Sequence, residues 1–164
     1  MVQKTAEKEQ KLPHIDEIDR KILNILQQNG REKLTSMAKK VGLSVNPVKS
    51  RIAALEKSGV IERYMAQIAV EKLGLRLGLH VYLKLTNVSR ERFEEMVTYL
   101  KGHIRVINLI SMHGDYDVYL TIIAKDNIEL DDVKMEIREK FKDLIGEWKE
   151  VMVSNIYKLE EYRV

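Results

Sequence analysis

The sequence predicts an α+β protein in which a group of short helices precedes an alternation of strands and helices. Two observations predict this class. Residues 15–57 carry apolar side chains at helical spacing, whereas residues 78–158 switch between strand-like and helix-like patterns. The chain has 164 residues, of which 45% are hydrophobic and 32% charged, a composition typical of a globular protein with one or two domains.

The first predicted helix covers residues 15–28. Asp16 and Asp19 stand at its start with a spacing that resembles a capping box, and Asn29-Gly30 ends it. Its apolar face consists of Ile15, Ile18, Ile22, Ile25 and Leu26. The polar residues 1–13 before it lack the apolar core of a signal peptide, and we expect them to be flexible.

Two further helices joined by a tight turn are predicted within residues 34–64, the form of a helix-turn-helix. Thr35 is expected to cap the first of them, and Gly42 is expected to end it. Ser44 is expected to cap the second, with Pro47 in its first turn. The apolar faces hold Leu34, Met37, Ala38 and Val41 on the first helix, and Val45, Val48, Ile52 and Leu55 on the second.

The outer face of that second helix carries polar and basic side chains. In a helix-turn-helix this helix enters the major groove of double-stranded DNA and contacts bases and phosphates. The expected DNA-binding residues are Thr35, Ser44, Asn46, Lys49, Ser50, Arg51 and Lys57. A helical hairpin with a solvated basic face is the alternative interpretation. Residues 1–65 hold 13 basic and 8 acidic side chains, and this basic balance favours a phosphate-bearing partner.

A strand over residues 61–70 is expected to lead away from the helices, with the domain boundary within residues 65–75. The C-terminal part of the chain repeats the order strand, helix, strand twice, and this is the ferredoxin-like βαββαβ pattern. The predicted strands cover residues 78–86, 105–112, 116–124 and 148–158, and the predicted helices cover residues 89–101 and a segment opened by Asp126 or Asn127.

One face of the predicted sheet has no helix to cover it. We expect Ile107, Leu109 and Ile123 on this face, and an exposed apolar face is a liability in a small domain. A second copy of the chain is the simplest cover, so the pattern predicts a homodimer that forms through the sheets.

Several classes of function find no support in the sequence. The chain has no cysteine, no apolar run long enough to span a membrane and no phosphate-binding glycine loop. His14, His80, His103 and His113 are scattered without metal-ligand spacing. We therefore expect no cofactor, no metal, no membrane and no catalytic residues, in a cytoplasmic protein.

The order of these features resembles the Lrp/AsnC family of transcription regulators, also called feast/famine regulatory proteins. The resemblance covers about residues 14–160 and rests on four stretches: IDEIDRKILNILQQNGR (15–31), MAKKVGLS (37–44), VKSRIAALEKSGVIERY (48–64) and HGDYDVYL (113–120). It implies a winged-helix-like DNA-binding domain at 14–64, a hinge at 65–75 and an effector-binding and oligomerisation domain at 76–164. It also implies dimers that assemble into tetramers or octamers on a palindromic operator.

The resemblance further implies that a small effector, usually an amino acid, binds near the turn between the second and third strands. The implied effector residues are Ser111, His113, Gly114, Asp115, Tyr116 and Asp117. Amides of such a turn suit a carboxylate, while Asp115 or Asp117 is placed to hold an α-ammonium. A plain turn that only links two strands is the alternative. His113 departs from the family, which commonly has a small or hydroxyl residue there.

The resulting hypothesis is a sequence-specific regulator whose assembly state and DNA binding respond to a small effector. One alternative is an enzyme of the same layout that decarboxylates siroheme, against which the scattered histidines argue. The other is an architectural protein that binds DNA by charge alone, against which the whole-chain net charge of only +3 argues.

Overall fold

The computed structural model describes residues 12–158, 162 and 164 and separates two compact units. The first unit runs up to Gln67 and includes the segment from Lys158 to Val164, and the second is Ile68–Tyr157. The expected flexible segment 1–13 lies outside the described residues, apart from Leu12 and Pro13.

The first unit contains three helices. They are α1 (Glu17–Gln28), α2 (Leu34–Val41) and α3 (Val45–Lys57). The capping box of α1 is confirmed, because the Asp16 carboxylate accepts the amide of Asp19 at 2.8 Å and the Asp19 carboxylate accepts the amide of Asp16 at 3.2 Å. The buried core of the unit is Ile22, Met37, Ala38, Val48 and Leu55.

Two local predictions for residues 34–70 were wrong. Helix α2 begins at Leu34 after Lys33, so Thr35 lies inside the first turn and does not cap it. Residues 62–69 form no strand in the described structure, and a short 3₁₀ helix, Val70–Leu73, follows them. A strand needs a neighbour for its backbone groups, and none of the described residues pairs with this segment.

The C-terminal segment is assigned to the first unit because it contacts α1. The Asn24 side-chain amide donates to the Val164 carbonyl at 2.8 Å and accepts from the Val164 amide at 3.3 Å. The Gln27 side chain accepts from the Tyr162 amide at 2.7 Å. The predicted second domain, 76–164, included these residues. Their contacts with α1 could not be predicted, because hydrogen bonds between positions so far apart in the chain leave no local pattern.

The second unit has the predicted βαββαβ order. Its elements are β1 (Leu77–Leu85), α4 (Arg90–Gly102), β2 (Val106–Ser111), β3 (Val118–Ala124), α5 (Asn127–Lys140) and β4 (Ile145–Met152). The strands lie in the order β2-β3-β1-β4 with antiparallel neighbours, so the α+β fold with a ferredoxin-like domain is confirmed. The Ser89 and Asp126 side chains cap α4 and α5 by accepting backbone amides.

Helices α4 and α5 cover one face of the sheet. Their buried side chains pack against alternate residues of the strands, and Phe141 is the largest fully buried side chain among the described residues. The other core members are Leu79, Val81, Leu83, Leu85, Met96, Leu100, Val118, Leu120, Ile122, Ala124, Leu130, Val133, Ile137 and Leu144. The sheet therefore keeps one face that these helices do not cover.

Two details of the sheet differ from the prediction. Strand β4 begins at Ile145 and ends at Met152, whereas residues 148–158 were predicted, because its neighbour β1 pairs it from Leu85 to Leu79. Leu109 lies opposite Leu120 and packs on the helix-covered core, because an irregularity near Val106 shifts the register of β2. The open face is therefore not lined by Leu109.

Candidate DNA interface and effector site

Helix α3 presents an exposed face that is free of large apolar side chains. Asn46, Ser50, Ala53 and Lys57 recur at helical spacing along this face, and all four are exposed. Lys49 is exposed at one edge of it. The small and polar side chains leave room for base edges to approach, while the two lysines carry positive charge for phosphates.

The turn between α2 and α3 brings the two helices close together. Gly42 has φ 74°, a left-handed conformation that strains residues with a Cβ atom, and the Leu43 amide donates to the Ala38 carbonyl at 3.0 Å. Ser44 occupies the N-cap of α3, but its hydroxyl makes no capping hydrogen bond there. This exposed hydroxyl remains available at the start of the helix.

The turn between α1 and α2 is held by Glu32. Its carboxylate pairs with the Lys40 ammonium at 2.8 Å and accepts the side chains of Ser36 and Asn29 at 2.5 and 2.9 Å. The Lys40 ammonium, followed by the Ser36 hydroxyl, lowers the pKa of Glu32 to about 2. These contacts fix the start of α2 against the end of α1.

The structure separates Arg51 from the other residues expected to bind DNA. Its Nη1 atom donates to Asp16 Oδ2 and to Asp19 Oδ1, both at 2.7 Å. Arg51 thus pairs with the start of α1, on the flank of α3 rather than on its outer face. Thr35 lies within α2, and Ser44, Asn46, Lys49, Ser50 and Lys57 lie on α3 or at its cap.

The six expected effector residues come together in the segment that links β2 to β3. Ser111 ends β2, and the Met112 amide closes the loop by donating to the Asp117 carbonyl at 2.8 Å. His113, Gly114 and Asp115 are exposed, and Gly114 has φ 147°. Within the described part of the chain, the backbone amides of residues 113–116 have no hydrogen-bond acceptor.

Asp117 ties this loop to β1. Its carboxylate accepts the Leu85 amide at 2.8 Å and lies 3.4 Å from the Lys84 ammonium, while its own amide donates to the Leu83 carbonyl. The Leu85 hydrogen bond, and then Lys84, lower the pKa of this carboxyl below its usual range. Asp117 is therefore engaged within the fold, whereas the Asp115 side chain is exposed.

Tyr116 joins the loop to the open face of the sheet. Its hydroxyl donates to Glu147 Oε1 at 2.8 Å, and this carboxylate raises the pKa of the tyrosine. Its ring lies 5.8 Å from that of Tyr82, which lies 5.3 Å from Tyr119. The contacts of Lys84, Tyr82 and Glu147 with the loop were missed in the sequence, because these residues are 30 or more positions away.

The described residues were also searched for metal sites and for membrane-spanning helices. No group of histidine and acidic side chains among them is arranged to hold a metal ion. No helix in the described part of the chain is long and apolar enough to cross a membrane.

The comparisons with known proteins point to one kind of regulator. A family model described as "Winged helix-turn-helix DNA-binding" matches residues 15–62. The HTH-type transcriptional regulator FL11 of Pyrococcus horikoshii is 33% identical over 132 residues, which cover 80% of this chain and 80% of that protein. The function class of this relative is that of a transcription regulator, as predicted, and not that of an enzyme.

Solved structures of regulators share the fold. The AsnC family transcriptional regulator from Agrobacterium tumefaciens matches with a TM-score of 0.82 at 28% identity, over 88% of this chain and 94% of that one. The transcriptional regulator NMB0573 of Neisseria meningitidis, solved as a complex with L-Met, has the same fold with a TM-score of 0.82. It is 21% identical, over 89% of this chain and 94% of its own.

Proposed function

This chain belongs to the Lrp/AsnC family of transcription regulators, and we propose that it binds a specific operator as a homodimer or larger assembly in response to an amino-acid effector. Its DNA-binding domain makes DNA the partner. Sequence choice, the effector and the assembly are the proposed parts. A regulator of this kind acts where the chromosome lies, so the proposal places it in the cytoplasm.

The exposed face of α3 is the observation that carries the proposed sequence choice. Asn46 and Ser50 offer hydrogen-bonding groups, and Ala53 offers a methyl group, along one line of this face. Asparagine pairs well with adenine in the major groove, and a methyl group packs against that of thymine. Lys49 and Lys57 flank the line and suit phosphates, which position the helix without reading the sequence.

A footprint on the DNA upstream of its own gene tests the sequence choice. The protein should protect a palindromic site and bind it at least 1,000-fold more tightly than bulk DNA, in the range typical of specific DNA-binding proteins. We expect Asn46→Ala to weaken operator binding about tenfold and to relax the choice of one base pair. Equal affinity for operator and bulk DNA would contradict the proposal.

The loop from Met112 to Asp117 supports the proposed amino-acid site. Its amides at residues 113–116 lack acceptors among the described residues, and a carboxylate would supply one. Asp115 is exposed beside them, so it suits the α-ammonium better than Asp117, which pairs with Lys84 and Leu85. The L-Met complex of the Neisseria regulator supports an amino acid as the class of ligand.

A thermal-shift screen against the common amino acids tests this site. A ligand at 100 times its Kd stabilises a folded protein by about 2.7 kcal/mol, so a true effector raises Tm clearly. Asp115→Ala should abolish the shift and leave the ligand-free Tm unchanged, because the side chain is exposed. Asp132→Ala, which removes an exposed carboxylate from α5, is the control. If the amino acid raises the Tm of Asp115→Ala as much as it raises that of Asp132→Ala and of the unaltered protein, Asp115 is not part of the site.

The open face of the sheet supports the proposed dimer. Ile110 and Val151 are 53% and 48% exposed, and the rings of His80, Tyr119 and Tyr82 lie in contact between them. Such a patch is typical of a surface that associates. The ring contacts continue to Tyr116 in the loop from Met112 to Asp117. A ligand bound at this loop would therefore act on the proposed interface through the Tyr116 and Tyr82 rings.

A further inference from the structure

The contacts of Arg51 point to a role different from that of the exposed side chains of α3. We infer that Arg51 is a positioning residue for DNA recognition, which holds α3 in its working orientation by binding the capping box of α1, and that it does not contact DNA. This role rests on the proposed operator binding by α3.

The capping box and the guanidinium form one closed network. Oδ1 of Asp16 accepts the amides of Ile18 and Asp19, at 2.9 and 2.8 Å, while Oδ2 accepts Arg51. One oxygen of Asp19 accepts the Asp16 amide, and the other accepts Arg51. Each carboxylate oxygen therefore has a partner, and one nitrogen of Arg51 bridges both carboxylates.

The bonds of Arg51 to Asp16 and Asp19 differ in kind from the other contacts of α3. Within residues 12–158, 162 and 164, they are the only side-chain hydrogen bonds or ion pairs that join α3 to α1 or α2. The other contacts are apolar, through Val48 and Leu55 among others, and apolar packing is not directional. The two ion pairs thus fix the rotation of α3 about its own axis, which aims Asn46 and Ser50.

A direct contact between Arg51 and a phosphate would disrupt this network. The side chain of Asp19 is only 12% exposed, so departure of Arg51 would leave a nearly buried carboxylate without its charge partner. The positive charge of Arg51 is also offset by two carboxylates 2.7 Å away, which reduces its attraction for phosphate. Both considerations favour a structural link over a DNA contact.

Asp19→Asn provides a test in which the two roles predict opposite signs. The substitution removes a negative charge from a DNA-binding domain, which by charge alone raises DNA affinity. If Arg51 positions α3, Asp19→Asn should instead weaken operator binding about tenfold, with bulk-DNA binding little changed. Glu17→Gln is the matched control, because it removes an exposed carboxylate from the same turn of α1. It should leave operator binding equal or tighter.

Arg51→Met and the double variant complete the experiment. Operator affinity is measured over a salt series, well below the Tm of each variant. We expect Arg51→Met to weaken operator binding by the same factor as Asp19→Asn. The double variant, Asp19→Asn with Arg51→Met, should bind the operator no more weakly than either single variant. The slope of log affinity against log salt concentration should stay at the wild-type value in all three. Lys49→Met should reduce the slope by about 0.9, the amount expected for one lost phosphate contact.

Three results would overturn the positioning role. A reduced slope in Arg51→Met together with unchanged or tighter binding by Asp19→Asn would make Arg51 a phosphate contact. A lower Tm with unchanged operator affinity in both variants would make the network a matter of stability alone. If the unaltered protein shows no preference for an operator, then the sequence-specific function fails first, and this role fails with it.

Discussion

At the scale of single residues, several carboxylates of this protein hold its turns together. Glu32 holds the turn before α2, Asp16 caps α1, and Asp117 ties the loop from Met112 to Asp117 to β1. Each has a pKa below its usual value, because its charged form is bound by amides or cations. Such groups stabilise the fold above their ordinary pKa and stop doing so as the pH falls through the folded-state pKa.

Glu32 gives a testable pH dependence. Its ordinary pKa of 4.5 falls to about 2 in the fold, so its contribution is complete above pH 4.5 and disappears as the pH falls to about 2. We expect Glu32→Gln to lower Tm at pH 7, and we expect the gap from the unaltered protein to close towards pH 2. Glu91→Gln, at an exposed position of α4, is the control. A gap that is constant from pH 7 to pH 2 would contradict the ionic role.

Asp117→Asn tests the link between the loop from Met112 to Asp117 and β1. The charged hydrogen bond to Leu85 and the pairing with Lys84 are both weakened, so we expect a loss of about 1–2 kcal/mol in the free energy of unfolding. Urea denaturation without ligand measures it. Asp115→Asn changes an exposed carboxylate of the same loop and should cost less than about 0.5 kcal/mol. Equal losses in the free energy of unfolding would show that the contacts of the Asp117 carboxylate add no stability beyond that of an exposed carboxylate.

At the scale of elements, the sequence predicts what depends on local spacing. The capping box of Asp16 was predicted, and Asp126 was one of two predicted starts for α5, because a cap and its helix lie within a few residues. The strand expected at 61–70 was wrong because strand formation requires a partner that composition does not reveal. In the candidate sites, the pairing of Arg51 with Asp19 was not predictable, because 32 positions separate them.

The turn between α2 and α3 offers an element-scale prediction. A Cβ atom at Gly42 or at Gly102 would meet no atom within 4 Å, but only Gly42 has a left-handed φ. Gly42→Ala should therefore destabilise the fold by about 1–2 kcal/mol through backbone strain alone. Gly102→Ala, at the end of α4, should be neutral or stabilising by up to about 1 kcal/mol. Urea denaturation of both variants decides it, and equal effects would contradict the strain argument.

At the scale of the whole molecule, the proposed operator binding and the proposed assembly would depend on each other. Helix α3 is short, and a single recognition helix reaches only part of one major groove. Two copies joined through the open sheet faces would bind two half-sites at once. Linkage of this kind raises the apparent affinity by about 100-fold or more without any new contact to DNA.

The same dependence yields a prediction about Ile110. Its side chain is 53% exposed on the open face, next to Tyr119 of the neighbouring strand, so Ile110→Asp places a charge in the proposed interface. We expect sedimentation velocity to show a shift from dimer towards the 19.1 kDa monomer, with operator affinity reduced about 100-fold.

A matched change on the other side of the second unit separates assembly from solubility and charge. Ile128 lies in the first turn of α5 and is 76% exposed, so Ile128→Asp makes the same substitution away from the open face. It should leave both the mass and the operator affinity of the assembly at wild-type values. If Ile110→Asp remains dimeric while operator binding is lost, the sheet face is not the interface. If both variants dissociate, α5 takes part in the assembly, and the open face then explains only a part of it.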